Sequence, residues 1–560
     1  MIMNKCSNRK LPPIIGSITL SFLLSISSLF FPASQRADFN DSAIYQYIGY
    51  LITKGKTPYI DAFDHKGIYF YFLNSLGYQM NSRWGMWVLI WILLFFIVLV
   101  IYRMAKRFLP VWASVAITLI ISTSVGTSFW DGDTPDSFAV LFTFLAFEEL
   151  TSYFTAKTLT RRNIFIAGCA TAIAFWMKPN MILGSLLFCL CLIIYFLLQK
   201  QYTLIGRCFC YFSIGFALCT IPALAWLASR HALRAMLEDY FLFNFEYMSF
   251  SATNESRLYA FSNFISLPAC YICLFGILGV LISYLLKKNR PFNRTDILML
   301  TTGIISFAVS FIHAVSTGNS YPQYPLLFLP SVTVILIWLL RYFRSTCSRK
   351  IYVWLLAAIT GIAVVFNGYK EYENCKYFWN PVPQEADVIS YLQDNSESDD
   401  TIAIVSPYYA GYYLASGRDS ATKYVYVQAN HFVNLEKNPS EEEKFWKIYA
   451  EELKDSKPRI ILLDTSFRNQ KIIKKIKELL SEPLRSYKSA GESYLFQFYV
   501  LPDSEAETIR QFHSDDQINN SIDLTLPKQI GEDYRNGKLE KEDIEQYFDA
   551  QWEKQRENLK

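Results

Sequence analysis

The sequence predicts a polytopic α-helical membrane protein that carries an α/β domain towards its C-terminus. Charged residues make up only 18% of the 560 residues and hydrophobic residues 52%, whereas a soluble globular chain carries about 25% charged residues. The charge is also unevenly placed: it falls in short clusters between apolar runs up to about Phe366 and becomes dense in the last third. This distribution is typical of a membrane domain followed by a soluble one.

About eleven apolar runs are long enough to cross a bilayer, which takes roughly 20 residues, or somewhat fewer where the ends reach into the headgroups. The first also resembles a secretory signal peptide, since basic residues precede it and Pro-Ala-Ser follows it. Its apolar run is long for a signal peptide and further spans follow, so we interpret it as an uncleaved first helix. The predicted spans are 12–31, 86–102, 109–128, 138–156, 163–177, 181–198, 208–228, 264–286, 297–314, 325–340 and 351–367.

Lys and Arg in the short loops predict the orientation of the chain. If the N-terminus is cytoplasmic, every loop on the same side carries basic residues, as in Arg103, Lys157, Arg207, Lys287 and Arg341. The loops 32–85, 129–137, 229–263 and 315–324, and the chain after about residue 367, then face outward. The net charge of +4 is too small to make nucleic acid an attractive partner.

The last third of the chain alternates strand and helix patterns, which predicts a small α/β layer. Short buried strands are predicted at Asp400–Val405, Arg459–Asp464 and Tyr494–Val500, and amphipathic helices at Pro439–Asp455 and Asn469–Leu484. The predicted parts are therefore a transmembrane domain over 1–368 with its first outer loop at 32–85, an extracytoplasmic α/β domain over 369–503, and a charged, weakly ordered helical tail over 504–560.

The first outer loop crowds titratable side chains against the end of the first span. One interpretation is an interfacial loop with solvated acids, since the aromatic-rich stretches 41–54 and 68–80 suit helices lying at the headgroup level. The other is a reaction site, because a carboxylate can accept a proton from an attacking hydroxyl and a lysine can hold a phosphate. In that interpretation Asp41 is the base and Lys66 binds the phosphate of a lipid-phosphate substrate. The candidates in this loop are Asp38, Asp41, Asp61, Asp64, His65 and Lys66.

Three further outward segments contain polar residues that could serve chemistry. The acidic loop Trp130–Asp136 predicts a capped helix start at Pro135, which is compatible with a functional role. Lys178 interrupts an apolar region, where a lysine is costly unless it reaches the interface or lines a polar cavity. The segment Ser316–Pro325 suits a sugar or headgroup, and equally a proline-kinked loop, while His313 beside it is interpreted as a packing histidine.

The order and spacing of the first-loop residues resemble the membrane glycosyltransferases of the GT-C class, specifically the bacterial relatives of the dolichyl-phosphate-mannose protein mannosyltransferases (glycosyltransferase family 39). In many of these, an acidic residue soon after the first helix is followed by a Gly-x-x-Pro-Tyr turn and an Asp-x-x-Asp-x-Lys-Gly-like segment. Here the corresponding elements are Asp41, Gly55–Tyr59 and Asp61–Gly67.

Other parts of the chain resemble this class more weakly, so that the resemblance covers about 40–480. Asp133–Asp136 is similar to its second acidic loop, Lys178-Pro179 to a lysine-containing step, and Tyr321–Pro325 to a late Tyr-rich loop. Gln323 stands where some relatives have His. The segment Asp400–Asp464 resembles the extracytoplasmic domain of the bacterial members.

The resemblance implies a GT-C membrane enzyme that transfers a sugar from a polyprenyl-phosphate donor to an envelope glycan, lipid or protein on the outer face of a bacterial plasma membrane, with inversion. It implies Asp41 as the base, with Lys66 on the donor phosphate and Asp64 and Asp136 orienting acceptor or donor. It leaves open a divalent metal, Mg or Mn. The implied substrate-binding residues are Lys66, His65, Tyr59, Asp133, Lys178, Tyr321, Gln323 and Tyr324.

Three other functions are weighed against this one. A transporter or flippase of lipid-linked sugars would need charged residues near the bilayer midplane or inverted repeats, and the charges here stand at span ends and in loops. A polysaccharide polymerase or ligase would rely on a large Arg- and His-rich loop between late spans. A structural or binding membrane protein would make the first-loop pattern accidental.

Overall fold

The chain folds into two compact units. The computed structural model describes residues 11–34, 41–244, 254–285, 293–379, 385–428, 431–432, 435, 439–465, 470–493, 496–504 and 509–512. Of these, 11–34 and 65–379 form the helical unit, and 41–64 and 385–512 form the α/β unit. The predicted tail 504–560 lies almost entirely outside the described residues, as does Asp38.

The helical unit is built from helices joined by short turns. Two 3₁₀ turns, Pro179–Ile182 and Tyr324–Leu327, and a π-helical segment, Leu237–Leu242, interrupt the α-helical pattern. The described α-helices of the whole chain are α1 Leu11–Ser25, α2 Asp41–Thr53, α3 Ile68–Gln79, α4 Arg83–Lys106, α5 Val111–Thr127, α6 Pro135–Thr151, α7 Tyr153–Ala156, α8 Arg161–Phe175, α9 Leu183–Leu198, α10 Tyr202–Ser229, α11 Leu233–Met236, α12 Asn254–Ile265, α13 Pro268–Leu285, α14 Arg294–Ser316, α15 Leu329–Thr346, α16 Arg349–Trp379, α17 Glu385–Asp394, α18 Gly411–Ser416, α19 Pro439–Ser456, α20 Gln470–Leu479 and α21 Ser481–Leu484.

A helix lies at each of the eleven predicted spans. Among the described residues, seven helices are long and apolar enough to cross a membrane, and α1 and α5 are shorter apolar helices. The remaining two predicted spans correspond to α8 and α15. The prediction of a polytopic helical membrane protein is therefore confirmed.

Helices α8 and α10 pack closely because each presents a glycine to the backbone of the other. A Cβ atom on Gly168 would lie 2.3 Å from the carbonyl oxygen of Phe212, and one on Gly215 would lie 2.2 Å from that of Phe165. Small residues that let two backbones approach are the usual device of helix packing in membranes, where lipid removes the hydrophobic drive for helices to associate. The close packing of these two helices fixes the position of α8, and the chain leads from the C-terminal end of α8 to Lys178.

The α/β unit contains a five-stranded sheet in the order β2-β1-β3-β5-β4. Strand β1 pairs in parallel with β2 and β3, while β5 is antiparallel to β3 and β4. The three predicted strands are confirmed as β1, β3 and β5, although residues 494–495 of the last lie outside the described part. The strands are β1 Thr401–Val405, β2 Asp419–Ser420, β3 Ile460–Asp464, β4 Lys488–Glu492 and β5 Phe496–Val500.

The core of the α/β unit lies between the sheet and α19 and α20. The apolar stripe predicted on α19 supplies the buried Trp446, Tyr449 and Leu453, which pack with strand residues such as Val405 and Leu463. Burial of large apolar side chains on both strand and helix makes this core the main source of stability of the unit. The predicted helix over 469–484 is observed as α20 and α21, with a break at Leu480.

The predicted first outer loop is divided between the two units. The sequence places 32–85 with the membrane domain, whereas residues 41–64 cluster with the α/β unit. Polar contacts explain this: Tyr47 Oη accepts a hydrogen bond from the Ser420 amide at 2.6 Å, and Tyr50 Oη donates to Asp419 Oδ1 at 3.0 Å. Tyr47 and Tyr50 of α2 thus fix this helix against the edge strand β2, and their expected place at the headgroup level stays a prediction.

Candidate active site

An ion pair between Lys178 and Asp136 forms the centre of the candidate site in the helical unit. Lys178 lies in extended backbone between α8 and the 3₁₀ turn that Pro179 begins. Asp136 lies in the first turn of α6, which starts at Pro135 because Thr134 caps it by accepting a hydrogen bond from the Ser137 amide at 3.1 Å. The capped start predicted for this helix is therefore confirmed. Both charged residues come from junctions where an apolar helix begins or ends.

The two charged groups are in direct contact. Lys178 Nζ lies 2.7 Å from Asp136 Oδ2, and their side chains are 19% and 2% exposed. Burying either charge alone would be costly, so each requires the other. The ammonium keeps some exposure, and a lysine has three donors. It can therefore donate to an anionic ligand while it still contacts Asp136.

Tyrosines from the late Tyr-rich loop complete one side of this pair. Lys178 Nζ lies 5.3 Å from the centroid of the Tyr324 ring, which suits a cation–π contact. Burial, and then the nearby Asp136 carboxylate, raise the pKa of Tyr324, so that its hydroxyl keeps its proton at neutral pH. Tyr321 packs edge-to-face on Tyr324, with ring centroids 5.3 Å apart. The buried Oε1 of Gln323 finds no hydrogen-bond partner among the described residues.

A close backbone contact places the segment that carries Lys66 beside the segment that carries Lys178. The Gly67 amide donates to the Met177 carbonyl at 3.0 Å, and the Tyr69 amide donates to the Trp176 carbonyl at 3.3 Å. A Cβ atom at Gly67 would lie 1.9 Å from the Trp176 carbonyl oxygen, so only glycine permits this approach. Lys66 and Lys178, which were predicted separately as substrate ligands, thus lie on two backbone segments that hydrogen-bond to each other.

His65 and Lys66 also contact each other. Lys66 Nζ lies 2.5 Å from His65 Nε2, and a lysine ammonium can donate to an imidazole nitrogen that carries no proton. The His65 carbonyl accepts a hydrogen bond from Asn244 Nδ2 at 2.9 Å, and the Lys66 amide donates to Tyr71 Oη at 3.0 Å. The backbone of this segment is therefore fixed by hydrogen bonds, and the Lys66 side chain contacts His65.

Asn180, which the sequence pattern did not single out, contacts His313 in the helical unit. Asn180 Nδ2 lies 3.3 Å from His313 Nε2, and the buried Asn180 Oδ1 has no hydrogen-bond partner in the described part of the chain. His313, interpreted as a packing residue, therefore contacts the segment that carries Lys178. The signal for Asn180 was its position two residues after Lys178 in an apolar region.

The second acidic loop is buried rather than exposed to solvent. Asp133 is buried and accepts a hydrogen bond from Asn74 Nδ2 of α3 at 3.1 Å. The main-chain oxygen of Asp131 accepts from Ser28 Oγ at 2.8 Å. Asp133 therefore fixes α3 and the loop in place, and its predicted role towards substrate stays a prediction.

The α/β unit holds the remaining predicted residues, Asp41, Tyr59 and Asp64. Asp41 begins α2 with an exposed side chain, and Tyr45 Oη approaches its Oδ2 at 3.5 Å, the outer limit of a hydrogen bond. Burial, followed by the charges of Asp41 and Asp464, raises the pKa of Tyr408, which shows that Asp41 and Tyr408 are close. An exposed carboxylate at a helix start is accessible to a substrate.

Asp64 and Tyr59 are buried within the same unit. Tyr426 Oη donates to Asp64 Oδ1 at 3.0 Å and in turn accepts from Gln428 Nε2 at 2.8 Å. Tyr59 adopts a positive φ of 71° in a tight turn. The Tyr59 amide donates a hydrogen bond to the Ala62 carbonyl at 2.8 Å across this turn. These contacts give both residues a role in the loop's conformation, and their predicted roles in catalysis and binding stay predictions.

Metal binding was left open by the sequence. No group of three or more His, Cys, Asp and Glu side chains within the described ranges is arranged to hold a metal ion. We therefore assign no step to a metal, and the metal requirement stays open.

Comparisons with solved structures identify the fold. The chain is similar to the crystal structure of ArnT from Cupriavidus metallidurans bound to undecaprenyl phosphate, with a TM-score of 0.58 and 13% identity over 88% of this chain and 99% of that chain. The apo structure of the same protein gives 0.57 and 12%, covering 90% and 100%. The Archaeoglobus fulgidus oligosaccharyltransferase in the apo form has a TM-score of 0.48 and 12% identity, covering 89% and 75%. The similarity to ArnT shows a GT-C-like fold and confirms the predicted fold class.

Sequence comparisons define the family. None of the curated proteins compared with the chain matches it. A family model described as "Putative competence-induced protein Ccs4 N-terminal domain" matches residues 7–350, which is more than half of the chain and includes every predicted span up to α15. The chain therefore belongs to the family of the competence-induced protein Ccs4 N-terminal domain.

Proposed function

We propose that this chain is an integral-membrane glycosyltransferase that uses a polyprenyl-phosphate-linked sugar as donor and an envelope glycan, lipid or protein as acceptor. The observation that carries the proposal is the backbone contact at Gly67, which places the segments that carry Lys66 and Lys178 side by side in a GT-C-like fold, with Lys178 paired to Asp136. One solved structure of this fold, ArnT, was obtained with undecaprenyl phosphate bound. Two lysines on neighbouring backbone segments suit the phosphate of such a lipid.

In the proposed reaction, an acceptor hydroxyl oxygen attacks the anomeric carbon of the donor sugar. The bond from that carbon to the phosphate oxygen breaks, and its electron pair leaves with the polyprenyl phosphate. Attack from the face opposite the phosphate inverts the anomeric centre. The hydroxyl proton passes to a carboxylate, for which Asp41 is proposed because it is exposed and begins a helix.

Lys66 and Lys178 are proposed to stabilise the negative charge that grows on the leaving phosphate. Such preorganised positive groups accelerate a reaction because they act on charge that develops in the transition state. Asp136 positions the Lys178 ammonium by direct contact at 2.7 Å. In this proposal the enzyme is a multi-pass protein of a bacterial plasma membrane, with a cytoplasmic N-terminus and an extracytoplasmic α/β unit.

The test is genetic and chemical. Strains that lack the gene are complemented with the wild-type chain or with Asp41→Asn, Lys66→Ala, Lys178→Ala or, as control, the exposed Lys376→Ala. Mass spectrometry then measures lipid-linked sugars and envelope glycans. We expect one lipid-phosphate sugar to accumulate and one glycan modification to disappear in the first three variants only.

The proposal also predicts binding of the lipid carrier. Loss of one charge-assisted hydrogen bond costs about 1.5–3 kcal/mol, so Lys66→Ala and Lys178→Ala should each weaken undecaprenyl phosphate binding by about 10- to 100-fold in detergent-solubilised protein. Unchanged glycans in the deletion strain, together with unchanged lipid binding in both variants, would refute the proposal.

A further inference from the structure

A cleft with polar and aromatic residues in its lining opens in the helical unit, apart from the Lys178–Asp136 contact. Its volume is about 300 Å³. It lies where four segments meet: the end of α5 with the residues after it, the break between α12 and α13, the loop before α15, and the end of α16. Three of these segments belong to loops that the sequence predicts on the same side of the membrane.

Three aromatic side chains line this cleft and keep exposed faces. Tyr321 and Tyr369 are 44% and 64% exposed, and Trp130 is half-buried. Tyrosine and tryptophan combine a large apolar face with a polar tip, which is the composition of surfaces that recognise partly polar ligands. The faces of sugar rings carry C–H groups that pack on such aromatic rings.

Trp130 is held in an unusual backbone conformation. Its φ of 53° falls in the left-handed region, which a bulky residue seldom adopts. Its ring packs against those of Tyr377 and Phe378, with centroids 5.8 Å away in each case. Strained residues persist only where the surrounding structure imposes them, and they concentrate at ligand sites. The fold therefore fixes the Trp130 ring at the edge of the cleft.

The polar lining offers both donors and acceptors but no excess of charge. Asn263 and Asn374 contribute amides, and Asn263 Nδ2 donates to Ser320 Oγ at 2.6 Å. Lys370 and Glu373 contribute one charge of each sign. A phosphate headgroup would favour a net positive lining, whereas a neutral sugar needs the mixed donors and acceptors that amides and hydroxyls provide.

Size and position indicate which substrate the cleft takes. Small-molecule sites span about 300–1,000 Å³, so this cleft suits one or two sugar rings rather than a long polyprenyl chain. Tyr321 lines the cleft and packs on Tyr324, whose ring lies against Lys178. A ligand in the cleft is thus separated from the ion pair by two tyrosine rings in contact.

We propose that this cleft binds a neutral sugar ring of the acceptor, so that the acceptor is a carbohydrate or carries one. The identification as the acceptor rests on the proposed function, while sugar binding itself does not require transfer. Trp130, Tyr321 and Tyr369 provide the faces on which the ring packs, and Asn263 and Asn374 bind its hydroxyls.

Saturation-transfer NMR on the detergent-solubilised full chain tests this proposal. The probes are the methyl glycosides and β-linked disaccharides of glucose, galactose, mannose and N-acetylglucosamine at millimolar concentrations. We expect at least one neutral probe to receive saturation from the wild-type protein. We expect Tyr321→Ala and Trp130→Ala to weaken its binding at least tenfold. Tyr369→Ala, at a highly exposed position that folding does not depend on, should weaken it at least threefold.

Two controls separate this proposal from the function it extends. Trp354→Ala removes a tryptophan that is 77% exposed on α16 and is not among the residues lining the cleft, and it should leave sugar binding unchanged. Lys178→Ala should abolish transfer yet retain sugar binding. Binding of no neutral probe by folded wild-type protein, or equal binding by wild type, Tyr321→Ala and Tyr369→Ala, would overturn the proposal. Selective binding of inorganic phosphate or glycerol phosphate instead would also overturn it, even if transfer is established.

Discussion

Substituting Gly67 by alanine would test the contact that joins the two lysine-bearing segments. Gly67 has φ −84° and ψ 151°, a conformation that alanine adopts readily, so the backbone conformation itself is no obstacle. The obstacle is the neighbouring chain: the added Cβ would lie 1.9 Å from the Trp176 carbonyl oxygen, 2.4 Å from its carbon and 2.9 Å from the Met177 nitrogen. All three atoms belong to the backbone and cannot rotate away.

The size of the effect follows from these distances. To restore even a 3.0 Å separation, one segment must retreat by about 1.1 Å. This shift would lengthen the hydrogen bond from the Gly67 amide to the Met177 carbonyl, now 3.0 Å, and would move Lys66 away from Lys178. Misplacement of a catalytic group by about 1 Å can lower a rate about 100-fold. Overpacking of this kind costs about 1–3 kcal/mol of stability.

The assay compares undecaprenyl phosphate binding, sugar transfer and thermal unfolding in solubilised full-length protein. Gly361→Ala is the matched control, because nothing lies within 4 Å of its added Cβ and alanine favours its helix by about 1 kcal/mol. We expect Gly67→Ala to lose about 100-fold in transfer and at least tenfold in lipid binding, and Gly361→Ala to lose neither. If Gly67→Ala stays folded with lipid binding and transfer within twofold of wild type, the adjacency of the two lysines has no functional importance.

Two further predictions concern each unit separately. Gly215→Ala should lower the unfolding temperature of the helical unit, because the added Cβ atom would lie 2.2 Å from the Phe165 carbonyl oxygen. An unchanged melting curve in detergent would contradict the close packing of α8 and α10. Burial raises the pKa of Glu452 above its ordinary 4.5, more than the hydrogen bond from the Lys423 amide lowers it, so the folded chain holds this proton more tightly than the unfolded chain. The contribution of Glu452 to the stability of the α/β unit should therefore fall as pH rises above 4.5, and Glu452→Gln should remove this contribution in denaturant titrations from pH 4 to 7. Parallel curves of stability against pH for the variant and the wild type would refute the assignment.

The helices were predictable because crossing a bilayer requires long apolar runs, and each of the eleven runs corresponds to a helix. The candidates Lys178 and Asp136 were also found, since a charged residue is conspicuous at the end of such a run. The contact between Lys178 and Asp136 could not be predicted, because the two residues lie 42 positions apart and no local pattern joins them. The role of Gly67 could not be predicted from the sequence either, because it depends on which backbone segment lies beside this residue in the fold.

Strands were predictable only where burial leaves a pattern. Strand β3 is buried throughout and was found, whereas β4, Lys488–Glu492, has one buried residue and pairs only with β5 at the sheet edge. Strand β2 has two residues, too few for any periodicity. The membership of α2 in the α/β unit was missed because its tyrosines suit a membrane surface as well as a protein core.

Residues 41–64 have a consequence for how the protein is made. The other described residues of their unit lie between positions 385 and 512, and Tyr47 and Ser420, which share a hydrogen bond, are 373 positions apart. During synthesis α2 therefore emerges long before its partners, and the α/β unit can close only after all the membrane helices have been made. A separately expressed C-terminal third would leave the edge strand β2 uncovered, a surface prone to pair with other chains. An expression fragment of this unit should therefore carry residues 41–64 as well, joined to it by a linker.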